Sequence, residues 1–94
     1  MTLGVVHQPD KARYVLQQDG EQIGMVEYVL RDGEIDFVHT EIDEERREHG
    51  MASQLVQEAL DDVRDASDRR VIASCPYVRH WLREHPEYQG LLRR

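Results

Sequence analysis

The chain has 94 residues, 39% of them hydrophobic and 33% charged, with a net charge of −7, which suits one folded domain of modest core and excludes wholesale disorder. The charge is uneven: residues 1–68 hold 6 Lys/Arg against 17 Asp/Glu, and residues 69–94 hold 6 arginines against Glu84 and Glu87. Most of the surface would repel a polyanion, which argues against nucleic acid as the main partner and leaves a small anion held by a few local groups.

The N-terminus, MTLGVVHQPD, lacks a basic region and an apolar leader core, and nowhere do about 18 apolar residues run together. A soluble, cytoplasmic, single-domain protein over residues 1–94 is the expectation, with no membrane partner. Cys75 is the one cysteine, so no internal disulfide can form.

The first elements are strands. ARYVLQQ is a short β-favouring run, Asp19-Gly20 supplies a hairpin turn, and QIGMVEYVL follows with apolar residues at strand spacing. After Arg31-Asp32-Gly33 turns the chain, EIDFVHTEI alternates. Strict alternation puts Ile35, Phe37, His39 and Glu41 on one face and Asp36, Val38, Thr40 and Ile42 on the other. Three strands and two Asp-Gly turns predict an antiparallel three-stranded meander.

The period then changes to 3.6. Met51, Ala52, Leu55, Val56, Ala59, Leu60 and Val63 form an apolar stripe, which predicts a helix over about residues 50–66. VIAS reads as a short strand parallel to the third, because a helix crosses between them. CPYVRHWLREHPEY reads as a helix from Pro76, stopped near His85-Pro86. The order β-β-β-α-β-α defines an α/β domain.

Gly50 stands where a strand ends and a helix begins, which is where α/β proteins place anion-binding loops. Main-chain N–H groups in the first helical turn lack internal acceptors, and a residue without a side chain lets a phosphate approach them. Arg47 adds a forked donor and Ala52 is small. The whole loop, Arg46, Arg47, Glu48, His49, Gly50, Met51, Ala52 and Ser53, is the candidate anion site. A glycine that serves only the turn is the plainer alternative.

The pattern R47-E-H-G50-M-A52, preceded by FVHTEID and followed by SQLVQEAL, resembles the pyrophosphate loop of the GNAT acetyltransferase superfamily. The segment VIASCPYVRHWLREHPEY resembles a subfamily of very small, single-domain GNAT-like proteins with a Cys-Pro-aromatic-Val segment. The matches cover residues 37–92, about two-thirds of the chain. The resemblance implies a small GNAT-like fold that binds acetyl-CoA and transfers acetyl to an amine of unknown identity. It further implies that the strands before the loop and before the last helix splay apart. Pantetheine would lie in that gap along the strand edge near Thr40 to Ile42, and Cys75, Pro76 and Arg79 are further candidate contacts to the cofactor. Glu48 departs from the superfamily, which often has glycine there; its carboxylate opposes the phosphates, and Arg46 and Arg47 offset it.

Proline at 76 makes Cys75 the N-cap of the last helix, where the helix dipole favours negative charge, with Arg79 and His80 one turn on. Cys75 is therefore a candidate nucleophile, and an inert buried thiol is the competing reading. His39 and Glu41 are candidate bases for the amine or for Cys75. Tyr77 and Tyr88 are weaker candidates for the general acid, and Trp81 is expected to pack the last helix. No metal-ligand spacing occurs among the five histidines. Two readings compete with acetyl transfer: a non-catalytic CoA-binding or protein-interaction module, and an acidic adaptor with no small ligand. The oligomeric state is open between monomer and dimer.

Overall fold

The computed structural model describes residues 2–45 and 50–94. Five strands form one sheet in sequence order: β1 (Leu3–Gln8), β2 (Arg13–Gln18), β3 (Glu21–Arg31), β4 (Glu34–Ile42) and β5 (Arg70–Ala73). Helix α1 (Met51–Ala66) crosses from β4 to β5, α2 (Pro76–Glu84) follows, and a 3-10 segment spans Pro86–Arg93. Neighbouring strands are antiparallel except β4 and β5, which run parallel as the helical crossover requires.

The meander therefore has four antiparallel strands, not the expected three. The added strand is β1, LGVVHQ, in register with β2 from Leu3↔Gln18 to Gln8↔Arg13. Its uninterrupted apolar centre has no alternation to announce it, and the turn to β2 is a 3-10 turn at Pro9–Lys11 closed by Ala12 at φ 50°. The hairpin at Asp19-Gly20 is as expected: both residues take positive φ, 52° and 84°, as a primed turn demands.

Two bulges set which side chains point inward. Between β3 and β4 the register jumps from Glu27↔His39 to Tyr28↔Phe37, leaving Val38 as the extra residue. This overturns the strict alternation. Ile35 and Phe37 face the helices before the bulge, and Thr40 and Ile42 face them after it. His39 and Glu41 turn to the opposite face. In the same way Ile23 is the extra residue between β2 and β3, and it enters the core.

Both helices cover one face, as the period change predicts. Leu55, Val56, Ala59, Leu60 and Val63 of α1 pack with Leu16, Val26, Phe37 and Val71 of the sheet, and Val78, Trp81 and Leu82 of α2 join them. The other face carries a polar row across four strands, Gln8, Arg13, Glu27 and His39, in direct register. Antiparallel strands tolerate one solvated face, so no second helical layer is required.

Two buried tyrosines tie the sheet and the C-terminal segment to α1, and a third ties β3 to β1. Tyr14 donates to Asp62 Oδ2 at 2.6 Å, Tyr88 donates to Asp61 Oδ1 at 2.6 Å, and Tyr28 pairs with His7 at 2.7 Å. Burial and the Asp62 carboxylate hold the Tyr14 phenol well above its usual pKa. Burial, then the Asp62 charge, raises Tyr28. The bond to Asp61, then burial, raises Tyr88. A raised phenol stabilises the fold fully below the unfolded pKa of about 10 and loses that contribution as pH rises through the folded value. The urea midpoint, followed by circular dichroism, is therefore expected to hold level from about pH 7 to 9 and to fall steeply above about pH 10. A Tyr14→Phe, Tyr88→Phe double variant should show a shallower fall.

Candidate functional site

β4 and β5 pair only from Glu34↔Arg70 to Phe37↔Ala73. The N–H of Cys75 then bonds the Phe37 carbonyl at 2.8 Å, and the chain turns away into α2 at Pro76 while β4 continues to Ile42. Beyond Phe37 the β5-facing edge of β4 has no strand partner among the described residues. β5 is paired along its whole length and ends at Ala73, so the V opens between the continuing edge of β4 and the segment that leaves β5 for α2, rather than between two splayed strands.

Into this V opens a cleft of about 290 Å³ lined by Thr40, Ile42, Gly50, Ala52, Ser53 and Tyr77. Gly50 is the N-cap of α1 with φ 69° and ψ 14°, a left-handed conformation that a β-carbon disfavours. Among the described residues no side chain caps the helix, and no acidic residue stands in its first turn. A β-carbon built at Gly50 would meet no atom of the described residues within 4 Å. The first N–H with a helical acceptor is that of Gln54, bonded to the Gly50 carbonyl at 3.1 Å. A helix start without such a cap, beside a cleft, suits a phosphate group. Arg46, Arg47, Glu48 and His49 lie outside the described residues.

Of the remaining loop residues, Met51 packs against the core and Ala52 lines the cleft. Ser53 lines it too, but its Oγ accepts the indole N–H of Trp81 at 2.8 Å. Trp81 is buried, stacked on His85 at 3.7 Å and edge-on to Tyr88, and it packs α2.

Cys75 is the N-cap of α2 in extended geometry and is 5% exposed. Its Sγ lies 3.4 Å from Thr40 Oγ1, so Thr40 stands beside the thiol at the cleft. Arg79 turns back to the carbonyls of Ala73 and Ser74 at 3.3 and 3.2 Å, and His80 lies 3.7 Å from Glu84. These contacts engage both side chains along the strand end and the helix surface. Tyr77 reaches the cleft, and burial raises its phenol pKa.

His39 and Glu41 lie on the other side of β4. Their side chains are 3.2 Å apart and half-exposed or more, in a wider groove of about 570 Å³ with Gly24, Met25, Asp43 and Glu44. Both grooves touch Thr40 and Ile42, so β4 forms the wall between them. Sequence reasoning did not single out the Thr40 side chain, because without the bulge it points away from the helices. Gly24 was also missed: a β-carbon there would lie 2.4 Å from Ile42 Cδ1 and 3.0 Å from the Glu41 carbonyl, so any side chain would push Ile42 aside.

Among the described residues no three His, Cys, Asp or Glu side chains converge as metal ligands, and no helix is long and apolar enough to cross a membrane.

This mixed sheet, with a helix start beside the edge where β5 ends, fits the GNAT-like fold that the resemblance implies. A family profile described as GCN5-related N-acetyl-transferase matches residues 13–91, and the chain belongs to this family. No curated protein sequence matches it. Solved structures with the same fold include the ribosomal-protein-S18-alanine N-acetyltransferase from Escherichia coli (TM-score 0.64, 12% identity), aligned over 77% of this chain and 49% of that one. An N-acetyltransferase from Staphylococcus aureus Mu50 gives TM-score 0.60 and 19% identity over 79% of this chain and 50% of that one. The ribosomal-protein-alanine N-acetyltransferase from Brucella melitensis biovar Abortus 2308 gives 0.58 and 20%, over 80% and 59%. The chain thus spans about half of the length of these enzymes.

Proposed function

We propose that this chain binds acetyl-CoA in this V, along the continuing edge of β4, and transfers its acetyl group to an amine. The observation that carries the reading is the start of α1 at Gly50, left-handed and without a cap among the described residues, beside a cleft bounded by the edge of β4. Diphosphate at residues 46–53 would take the unpaired N–H groups of the first turn and the charges of Arg46 and Arg47. Pantetheine amides would pair with the β4 edge at Thr40 to Ile42, as an added strand does.

The acceptor approaches from the opposite groove, where His39 and Glu41 stand together. A base there accepts a proton as the amine nitrogen attacks the thioester carbonyl. The C–S bond then breaks, and the CoA sulfur leaves as a thiolate that takes up a proton, with Tyr77 in the cleft as a donor. Positioning supplies most of the acceleration. Cys75 offers a two-step route: its sulfur takes the acetyl group from CoA, and the amine then takes it from Cys75.

The test is incubation with acetyl-labelled acetyl-CoA, with and without a panel of amines, followed by intact-mass analysis and a free-thiol assay. Amine-dependent CoA release is the expected outcome. Protein-bound label that disappears in Cys75→Ala identifies the relay; release undiminished in that variant identifies direct transfer. The burial of Cys75 weighs against the relay and leaves direct transfer. A second reading is a module that binds CoA without turnover. Binding with neither label nor release would establish it.

A further inference from the structure

The sheet has two edges, and they are treated differently. The β5 edge is short, and the 3-10 segment packs on β5. Beside it the guanidinium of Arg94 bonds the carbonyls of Val63, Arg64, Ser67 and Arg69 at 2.6–3.3 Å. Among the described residues the β1 edge has no such cover. Its six residues, LGVVHQ, contain no lysine, no carboxylate, no proline and no bulge, the devices that normally blunt an edge.

This edge is also held stiff. The His7 ring stacks on Tyr14 at 4.2 Å with planes 9° apart, its Nε2 meets the Tyr28 hydroxyl at 2.7 Å, and its Nδ1 lies 3.6 Å from Asp62. At the other end Thr2 N–H bonds Asp19 Oδ1 at 2.6 Å, and Asp19 N–H bonds the Thr2 carbonyl at 2.7 Å. A strand pinned at both ends presents its outward N–H and C=O groups in fixed register and loses little freedom on pairing.

We propose that β1 pairs antiparallel with β1 of a second copy about a twofold axis, joining two sheets into one. The charges around the strand select this occupant. β1 is itself uncharged, so self-pairing meets no like charge along its length on a chain of net charge −7. Asp19 flanks its start, and Lys11 follows its end within the turn Pro9–Lys11. An antiparallel partner brings Lys11 of each copy toward Asp19 of the other. Asp10 sits beside Lys11 and offsets part of this attraction. A twofold makes the pairing self-complementary, since each strand's outward groups meet their own equivalents. The seam is small against the roughly 1,200–2,000 Å² of a stable interface, so dissociation in the micromolar range is expected.

The experiment is sedimentation velocity on the full chain from about 1 to 500 µM, with residue-resolved amide exchange of residues 3–8 at both ends of that range. The expected result is a monomer–dimer equilibrium in which alternate β1 amides gain protection as the dimer fills. Val6 is 43% exposed on the open face, and a β-carbon at Gly4 would meet nothing within 4 Å, so Val6→Lys and Gly4→Lys should both fold. Each should weaken the dimer at least tenfold. Monomer at every concentration overturns the proposal, as does a dimer that both variants leave intact. Protection of β1 only on adding another protein would assign the edge to a different partner and overturn it as well.

Discussion

Coenzyme A is expected to raise the melting temperature of the native chain, and Gly50→Glu is expected to abolish that rise. At a CoA concentration of about 100 times Kd, binding adds about 2.7 kcal/mol, which for a domain of this size raises Tm by on the order of 10 °C. Two effects oppose each other in the unliganded variant. A side chain at φ 69° costs roughly 1–2 kcal/mol, while a carboxylate at a helix start returns about 0.3–1 kcal/mol through the dipole. The variant should therefore fold with only a modest loss, and differential scanning fluorimetry reads ligand binding directly. Gly50→Ala separates the causes: it has the backbone strain without the charge and should keep part of the shift. A full CoA shift in Gly50→Glu would remove the phosphate from this helix start.

Asp36→Ala should lower unfolding stability by about 2–3 kcal/mol. Asp36 is 3% exposed, yet it faces away from the helices, where Oδ1 takes the Ser74 N–H at 3.2 Å. Its Oδ2 takes the Ser74 hydroxyl at 2.9 Å and the Arg31 guanidinium at 2.7 Å. Alanine leaves both Ser74 donors without that acceptor, whereas half-exposed Arg31 can return to water, which keeps the cost below that of a fully buried broken pair. Burial alone would raise the Asp36 pKa, but Arg31 and Ser74 outweigh it and hold the carboxyl below its usual range. A depressed carboxyl contributes fully above the unfolded pKa of 3.8 and loses that contribution as pH falls through the folded value. In urea titrations the gap between native and variant should thus be constant from neutral pH down to about 4 and close below it. A gap under about 0.5 kcal/mol at pH 7 would show that Ser74 is satisfied elsewhere.

The long-range plan of the molecule was legible because it follows from period and punctuation. The change from alternation to the Met51–Val63 stripe located α1, and Pro76 and Pro86 bracketed α2. Parallel pairing of β5 followed from the crossover alone. Gly50 was legible as a helix opening, and its left-handed backbone gives the reason a glycine stands there. What escaped depends on non-local pairing. Val38 looks like any strand residue, and only its register against Glu27 and Tyr28 makes it the extra one. That single residue sends His39 and Glu41 to the solvated face and brings Thr40 to Cys75. β1 escaped because its apolar run has no polar alternation, and pairing with β2 supplies what local pattern lacks. Arg79 meets the carbonyls at the end of β5, which lie within reach of its long side chain.

The chain contains one tryptophan, and its indole N–H is fastened to Ser53, three residues past Gly50. Any occupant that shifts the opening turn of α1 must also alter the polarity felt by that indole. Its near-ultraviolet emission is therefore an intrinsic optical gauge of the cleft, readable without a dye, a tag or an assay of chemistry.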